Sequence, residues 1–251
     1  MNLKVYDSAA AASQAAAETA AEVLRDAIAA RGRAAFVAAT GNSQIEFLGR
    51  LTAAPGIAWE RTTMFHLDEY VGIPPSHPAS FRRYLRERLT SRVPVGRVHF
   101  IQGDAADLSA ELARLNAAIA AAAIDVAFIG IGENGHIAFN DPPADFATEI
   151  PFIVVDLDEA CRRQQVGEGW FDSIGAVPRQ AVSMSVKQIL KAARILCTVL
   201  EKRKAHAVKT CLEGEIGPML PASILRTHPG CDVLLDRDAA GLLSPAEVRL
   251  T

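Results

Sequence analysis

The chain lacks the marks of several protein classes. Its 4 cysteines, Cys161, Cys197, Cys211 and Cys231, form no C-x-x-C pair and mostly have apolar neighbours such as Ile195, Leu196 and Leu212. No disulfide framework, zinc ribbon or dithiol redox centre is expected from them. The 6 histidines never occur as H-x-H or H-x-x-x-H, so a helical metal site has no scaffold and no metal is expected. Positive charge is not in excess: 26 Lys plus Arg face 29 Asp plus Glu, a net charge of -3. No overall field then exists to hold nucleic acid or an anionic membrane, and neither is an expected partner. The apolar tract at 9–17 is mostly alanine, is interrupted by Ser13 and Gln14, and lacks the basic leader and greasy run of a secretory signal. The expected location is cytoplasmic, a reducing compartment that suits unpaired thiols.

What is present is a large apolar fraction, 50% of 251 residues, enough to bury a sizeable core and suited to one α/β domain spanning 1–251. Apolar runs of strand length fall at 3–6, 35–39, 63–67, 98–101, 124–131, 152–155, 195–200 and 232–235. Helical patterns lie between them at 9–30, 44–51, 80–89, 109–122 and 203–212. This alternation predicts a three-layer α/β/α Rossmann-like fold around a mostly parallel sheet. The first helix is framed by Asp7 or Ser8 as a cap and by Gly32 as a stop. Pro142, Pro143 and Pro151 mark a non-helical stretch between the histidine-bearing loop and the next strand.

Ligands in open α/β sheets bind beyond the carboxyl ends of the strands, so the polar segments that follow strands are the candidates. Gly130-Ile131-Gly132-Glu133-Asn134-Gly135 spells G-x-G-x-x-G, yet no helix follows to aim its N-terminus at a pyrophosphate, and no dinucleotide is expected. Thr40-Gly41-Asn42-Ser43 opens the helix at 44–51 with small residues and free N–H groups that suit a phosphate, although an ordinary strand-to-helix turn looks alike. Asp68 and Glu69 end a buried run, where a carboxylate can take a proton from a substrate or merely cap a turn. His66 reads as a satisfied structural histidine. In the loop 132–141, glycines surround His136, a residue type suited to acid/base work, and Asp141 can fix its tautomer. Lys202, Arg203 and Lys204 begin a helix where cations and N–H groups can hold a phosphate, or where solvated charges simply sit.

Three ordered segments, Leu67-Asp68-Glu69-Tyr70-Val71-Gly72, His77-Pro78-Ala79-Ser80-Phe81 and Gly132-x-x-Gly135-His136-Ile137-Ala138-Phe139-Asn140, resemble the glucosamine-6-phosphate deaminases, with similarity running from the Thr40-Gly41 loop to about Asp236. The resemblance implies the fold shared with 6-phosphogluconolactonases, and conversion of glucosamine 6-phosphate to fructose 6-phosphate and ammonia without a cofactor. It implies that His136 opens the sugar ring and Asp68 moves the C2 proton, with Asn134 and Asp141 in the relay. Thr40, Gly41, Asn42, Ser43, Gly135 and Lys204 become the substrate and phosphate contacts, with Arg162 and Arg163 as candidates for the family's phosphate-binding arginine. Two positions depart from the family pattern. Asn134 stands where relatives have an acid and cannot shuttle a proton, and Asp141 stands for a Glu, one methylene shorter. A lactonase, a deaminase of another hexosamine phosphate and a sugar-phosphate sensor are the alternatives. A sensor wants a DNA-binding helix pair that a first strand at Leu3 leaves no room for. A symmetric interface leaves no readable pattern, so a homo-oligomer stays open.

Overall fold

The computed structural model describes residues 1–245; residues 246–251, the end of the expected domain, lie outside the described residues. In chain order the elements begin with β1 (Asn2–Tyr6), α1 (Ala9–Arg31), β2 (Ala34–Ala38), α2 (Asn42–Ala53), β3 (Thr62–His66), β4 (Asp68–Tyr70), α3 (Phe81–Leu85) and β5 (Arg97–His99). They continue with α4 (Leu108–Ala120), β6 (Val126–Ile129), β7 (Phe152–Asp156), α5 (Glu159–Gly167), β8 (Gln180–Met184), α6 (Val186–Ile189), β9 (Arg194–Val199), α7 (Ala205–Glu213) and β10 (Cys231–Asp236).

Seven strands form one parallel sheet in the order β1-β10-β9-β6-β2-β3-β5. Its inner strands are apolar on both faces, and successive residues enter opposite cores. Phe36, Met64, Val126, Phe128, Leu196 and Leu234 pack under α1 and α2. Their neighbours Val37, Phe65, Ala127, Ile129, Cys197 and Leu235 pack on the other side, with Leu115 of α4 and Val208 of α7. Two-residue periodicity with both faces covered is why these strands read as continuous hydrophobic runs.

The ends of α1 follow local chemistry. Ser8 Oγ accepts the Ala11 N–H at 3.2 Å, and Gly32 adopts a left-handed conformation (φ 73°) and returns its N–H to Ile28 O. Alanines 12, 16, 17, 20 and 21 form the buried stripe, so α1 lies close against the sheet.

A second, three-stranded antiparallel sheet, β4-β8-β7, was not expected. The run at 152–155 joins this sheet and not the parallel one, pairing with β8 from Phe152↔Met184 to Asp156↔Gln180. A third apolar cluster, with Tyr70, Phe81, Phe139 and Phe171 at its centre, lies against it. The fold class stands as read from the sequence, with this sheet, α5 and the one-turn α6 as additions.

Candidate active site

One cleft lies at the carboxyl ends of β2, β3, β6 and β9 and collects Thr40–Ser43, Asp68, Gly130–Gly132, His136, Glu201, Arg203 and Lys204. These are the central strands of the sheet, where their ends diverge into loops that leave room for a ligand.

On one side, α2 begins at Asn42 with Gly41 as its cap, at φ 106°, and no side chain among the described residues caps its first N–H groups. An uncapped helix start presents N–H groups to an anion. Tyr84 Oη donates to Gly41 O at 2.8 Å and fixes the turn.

Asp68 and Glu69 are neighbours with opposite fates, since successive residues of a strand point to opposite faces. Glu69, fully buried, accepts the N–H groups of Phe81 (3.1 Å) and Arg82 (2.8 Å) and the Ser80 hydroxyl (2.9 Å). It thereby anchors the start of α3. Asp68 lines the cleft, and among the described residues no donor reaches its carboxyl. Burial first, and then the Glu69 charge, push its pKa up to about 8. A carboxylate so destabilised is a stronger base than an exposed one.

His136 is set by a tight loop. Gly135 takes φ 85°, its N–H donates to Gly132 O at 3.0 Å, and the His136 N–H donates to Asn134 Oδ1 at 3.1 Å. The ring lies directly on Gly132, where a Cβ would meet Nε2 at 2.3 Å. Only glycine lets the imidazole lie there. His136 Nδ1 is 2.9 Å from Asp141 Oδ1, which also accepts Asn134 Nδ2 at 2.9 Å, while Asp141 Oδ2 accepts the Asp158 N–H at 3.2 Å. Burial alone would raise the Asp141 pKa, but His136, Asn134 and the Asp158 N–H together hold it below the usual carboxylate range. An ionised Asp141 keeps the proton on Nδ1 and leaves Nε2 toward the cleft. The two departures from the family pattern thus meet each other: an amide at 134 donates to Asp141 where a second carboxylate would repel it. Asn140 ties this loop to β8, donating to Met184 O at 2.9 Å and Ser183 Oγ at 3.3 Å.

Cys161, His136 and Asp141 have donor atoms within 4.8 Å of one another. Burial, followed by the Asp141 and Asp158 carboxylates, pushes the Cys161 thiol well above its usual range, so the trio suits hydrogen bonding better than metal ligation.

Lys204, 8% exposed, faces the cleft, and burial lowers its pKa. Arg203, read as a surface charge, also lines it and donates to Glu133 and Glu168 at 3.0 Å and to Glu201 at 2.7 Å.

Other candidates are not brought together. Arg162 Nη2 donates to the Ile174 and Val177 carbonyls, and Arg163 pairs with Glu159 one turn away on the exposed face of α5; neither lines the cleft. Gly135 also stays out of it: its carbonyl takes the Ala222 N–H at 2.9 Å, and a Cβ there would press on Cys211 Sγ at 3.0 Å. Asn134 and Asp141 stand behind His136 and do not line the cleft. His66 is fully buried, but neither ring nitrogen has a partner, and burial, then Arg82, push its pKa down to about 3. It is a neutral core residue, and its ring is not the satisfied one expected. Sequence reasoning missed Glu168 and Trp170, which line the cleft together with Gln164 and Gln165 from α5. Their signal was the Asp158 cap followed by i,i+4 pairs at 159/163 and 164/168.

Residues 7–234 match the family of glucosamine-6-phosphate isomerases and 6-phosphogluconolactonases. A curated relative, the glucosamine-6-phosphate deaminase of an Exiguobacterium species, is 39% identical over 178 residues, 71% of this chain and 68% of that one. The solved structure of a monomeric glucosamine-6-phosphate deaminase superposes with a TM-score of 0.88 at 32% identity, covering 96% of this chain and 100% of that one. A 6-phosphogluconolactonase from Shewanella baltica superposes at 0.78 with 18% identity, over 94% of this chain and 97% of that one, a likeness of fold. By its sequence over most of its length and by its architecture, this chain belongs to the glucosamine-6-phosphate isomerase/6-phosphogluconolactonase family.

Proposed function

We propose that residues 1–251 act as one cytoplasmic catalytic domain that isomerises and deaminates a hexosamine 6-phosphate, with glucosamine 6-phosphate as the substrate. The observation that carries this reading is Asp68, a buried carboxylate without a protein donor among the described residues, in one cleft with a tautomer-fixed histidine and an uncapped helix start. Lactone hydrolysis has no use for a second strong base at C2, whereas aldose–ketose conversion requires one.

The steps follow from the groups present. The start of α2 at Gly41–Ser43 and the Lys204 ammonium hold the phosphate. His136 Nε2 takes the proton of the anomeric hydroxyl, the ring C–O bond breaks, and the same proton goes to the departing ring oxygen, leaving an open-chain aldehyde. Asp141 steadies the imidazolium formed in between. The aldehyde and the neighbouring ammonium acidify the C2 proton. Asp68 removes it while the C1 oxygen takes up a proton released by the ammonium, giving an enolamine, and then returns its proton to C1, leaving a C1 hydroxyl and a ketose iminium at C2. Water adds to C2 of the iminium, and ammonia leaves.

The test offers glucosamine 6-phosphate, galactosamine 6-phosphate and 6-phosphogluconolactone in parallel. Glucosamine 6-phosphate should release ammonia and fructose 6-phosphate in equal amounts. Acid release from the lactone with no ammonia from either amino sugar would overturn the reading.

A further inference from the structure

Glu168 stands at the phosphate end of the cleft, where a carboxylate works against the ligand. It follows α5, donates its N–H to Gln164 O at 2.8 Å, and turns its side chain into the cleft wall with 6% exposed. Oε1 accepts Arg203 Nη1 at 3.0 Å and Gln164 Nε2 at 2.8 Å and lies 3.9 Å from Lys204 Nζ, while Oε2 accepts Trp170 Nε1 at 3.1 Å. Both cations of the anion end therefore already face one carboxylate. Arg203 has two more, Glu133 at 3.0 Å and Glu201 at 2.7 Å. Two cations against three carboxylates leave the side-chain charge of this end net negative before any ligand arrives.

A phosphate dianion entering here must approach Glu168 at close range in a partly water-excluded cleft, where charges interact more strongly than in bulk water. The hydrogen bonds from Gln164 and Trp170 hold the carboxylate in place and resist its withdrawal. Resting on the deaminase reading above, we propose that Glu168 sets phosphate affinity, as a counter-charge that weakens the hold of Arg203 and Lys204 on the phosphate. Recognition then falls on the α2 N–H groups and on the sugar's own hydroxyls and amine.

The experiment titrates inorganic phosphate into the wild-type chain and into Glu168→Gln and Glu168→Ala by calorimetry, with thermal melts to establish folding. Removing the charge should tighten phosphate about three- to tenfold in each folded variant, as the loss of one like-charge contact implies. The KM for glucosamine 6-phosphate should fall in parallel. An unchanged or weaker phosphate affinity would sink the proposal, the weaker case meaning that Glu168 serves to order Arg203 and Lys204. Failure of both variants to fold would equally overturn it, in favour of a structural anchor. Phosphate binding is read without turnover. A wild-type protein that deaminates nothing, with variants that bind phosphate more tightly, would therefore remove the deaminase reading and leave the counter-charge role.

Discussion

The two sheets of this molecule handle polar groups in opposite ways. The parallel sheet is buried on both faces and lends the cleft the end of β9 at Val199 and residues just past its strand ends. The small antiparallel sheet begins its strand β4 with a carboxylate, Asp68, that has no protein donor among the described residues and whose pKa burial pushes up to about 8. The parallel sheet keeps its unpartnered polar ring, His66 at the end of β3, neutral and away from the cleft, while the small sheet sets an unpartnered carboxyl on the cleft wall. Glu69 sharpens the contrast, because the same residue class one position along is held by donors from α3.

The largest effect expected on this division is at Asp68. Asp68→Asn should lower turnover by about a thousandfold or more, within the reach of a lost general base, and should abolish exchange of the C2 proton with deuterium while substrate still binds. The same change should stabilise the fold. Asp68 sits near 8 when folded against about 3.9 unfolded, so the folded state holds a proton that the unfolded state releases. Stability from this group is present at low pH and declines as pH rises from the unfolded value through the folded one. The melting midpoint of the variant should exceed that of the wild type by at least about 2–4 °C at pH 9, and by less at pH 5. A lower midpoint at pH 9 would break the comparison.

The parallel sheet should behave in reverse. Phe128 packs against Phe36 and Phe47, with ring centroids 5.6 and 5.0 Å apart, and Phe128→Ala should cost about 3–5 kcal/mol in urea unfolding. The kcat/KM of the folded fraction should stay within about twofold of wild type, because the packing change does not reach the reacting groups.

Next in size is Gly132→Ala, which forces the His136 ring off its seat. It should reduce kcat about a hundredfold, the scale of a misplaced catalytic group, with a smaller change in melting. A variant that melts as wild type and keeps full kcat would show that the ring has another productive position.

The smallest effect is in pH dependence. A base near 8 is mostly protonated at pH 6–7, so kcat/KM should climb about tenfold per pH unit there and flatten above about 8. A profile already flat from pH 5 would place the titrating base elsewhere.

The same division explains what the sequence made legible. Strands buried on both faces leave uninterrupted apolar runs, and β2, β3, β6, β9 and β10 were each found within a residue or two. β4 is three residues long and two of them are acidic, so it reads as a turn. β8 follows a loop and begins with Gln180, and its pairing with β4 is set only by the tertiary fold. α5 buries only Cys161 and Gln165, too few apolar positions for a visible stripe. Asp68, His136 and the 40–43 loop were legible because strand ends and glycines mark them. Glu168 was not, since nothing local to a Gly-Glu-Gly-Trp segment tells whether its carboxylate faces water or the cleft. That Arg162 and Arg163 stand off the cleft was hidden for a related reason: without α5, the face on which each side chain stands had no reading.

Trp170 gives the molecule an optical handle. The chain has 2 tryptophans. Trp59 lies in the core, 5% exposed and edge-on to Phe36 at 6.0 Å, whereas Trp170 borders the cleft and donates to Glu168. An anion that disturbs Glu168 changes the surroundings of one indole and leaves the other as an internal reference. Emission at the protein's own wavelength then separates occupancy of the cleft from unfolding of the core, with no label attached.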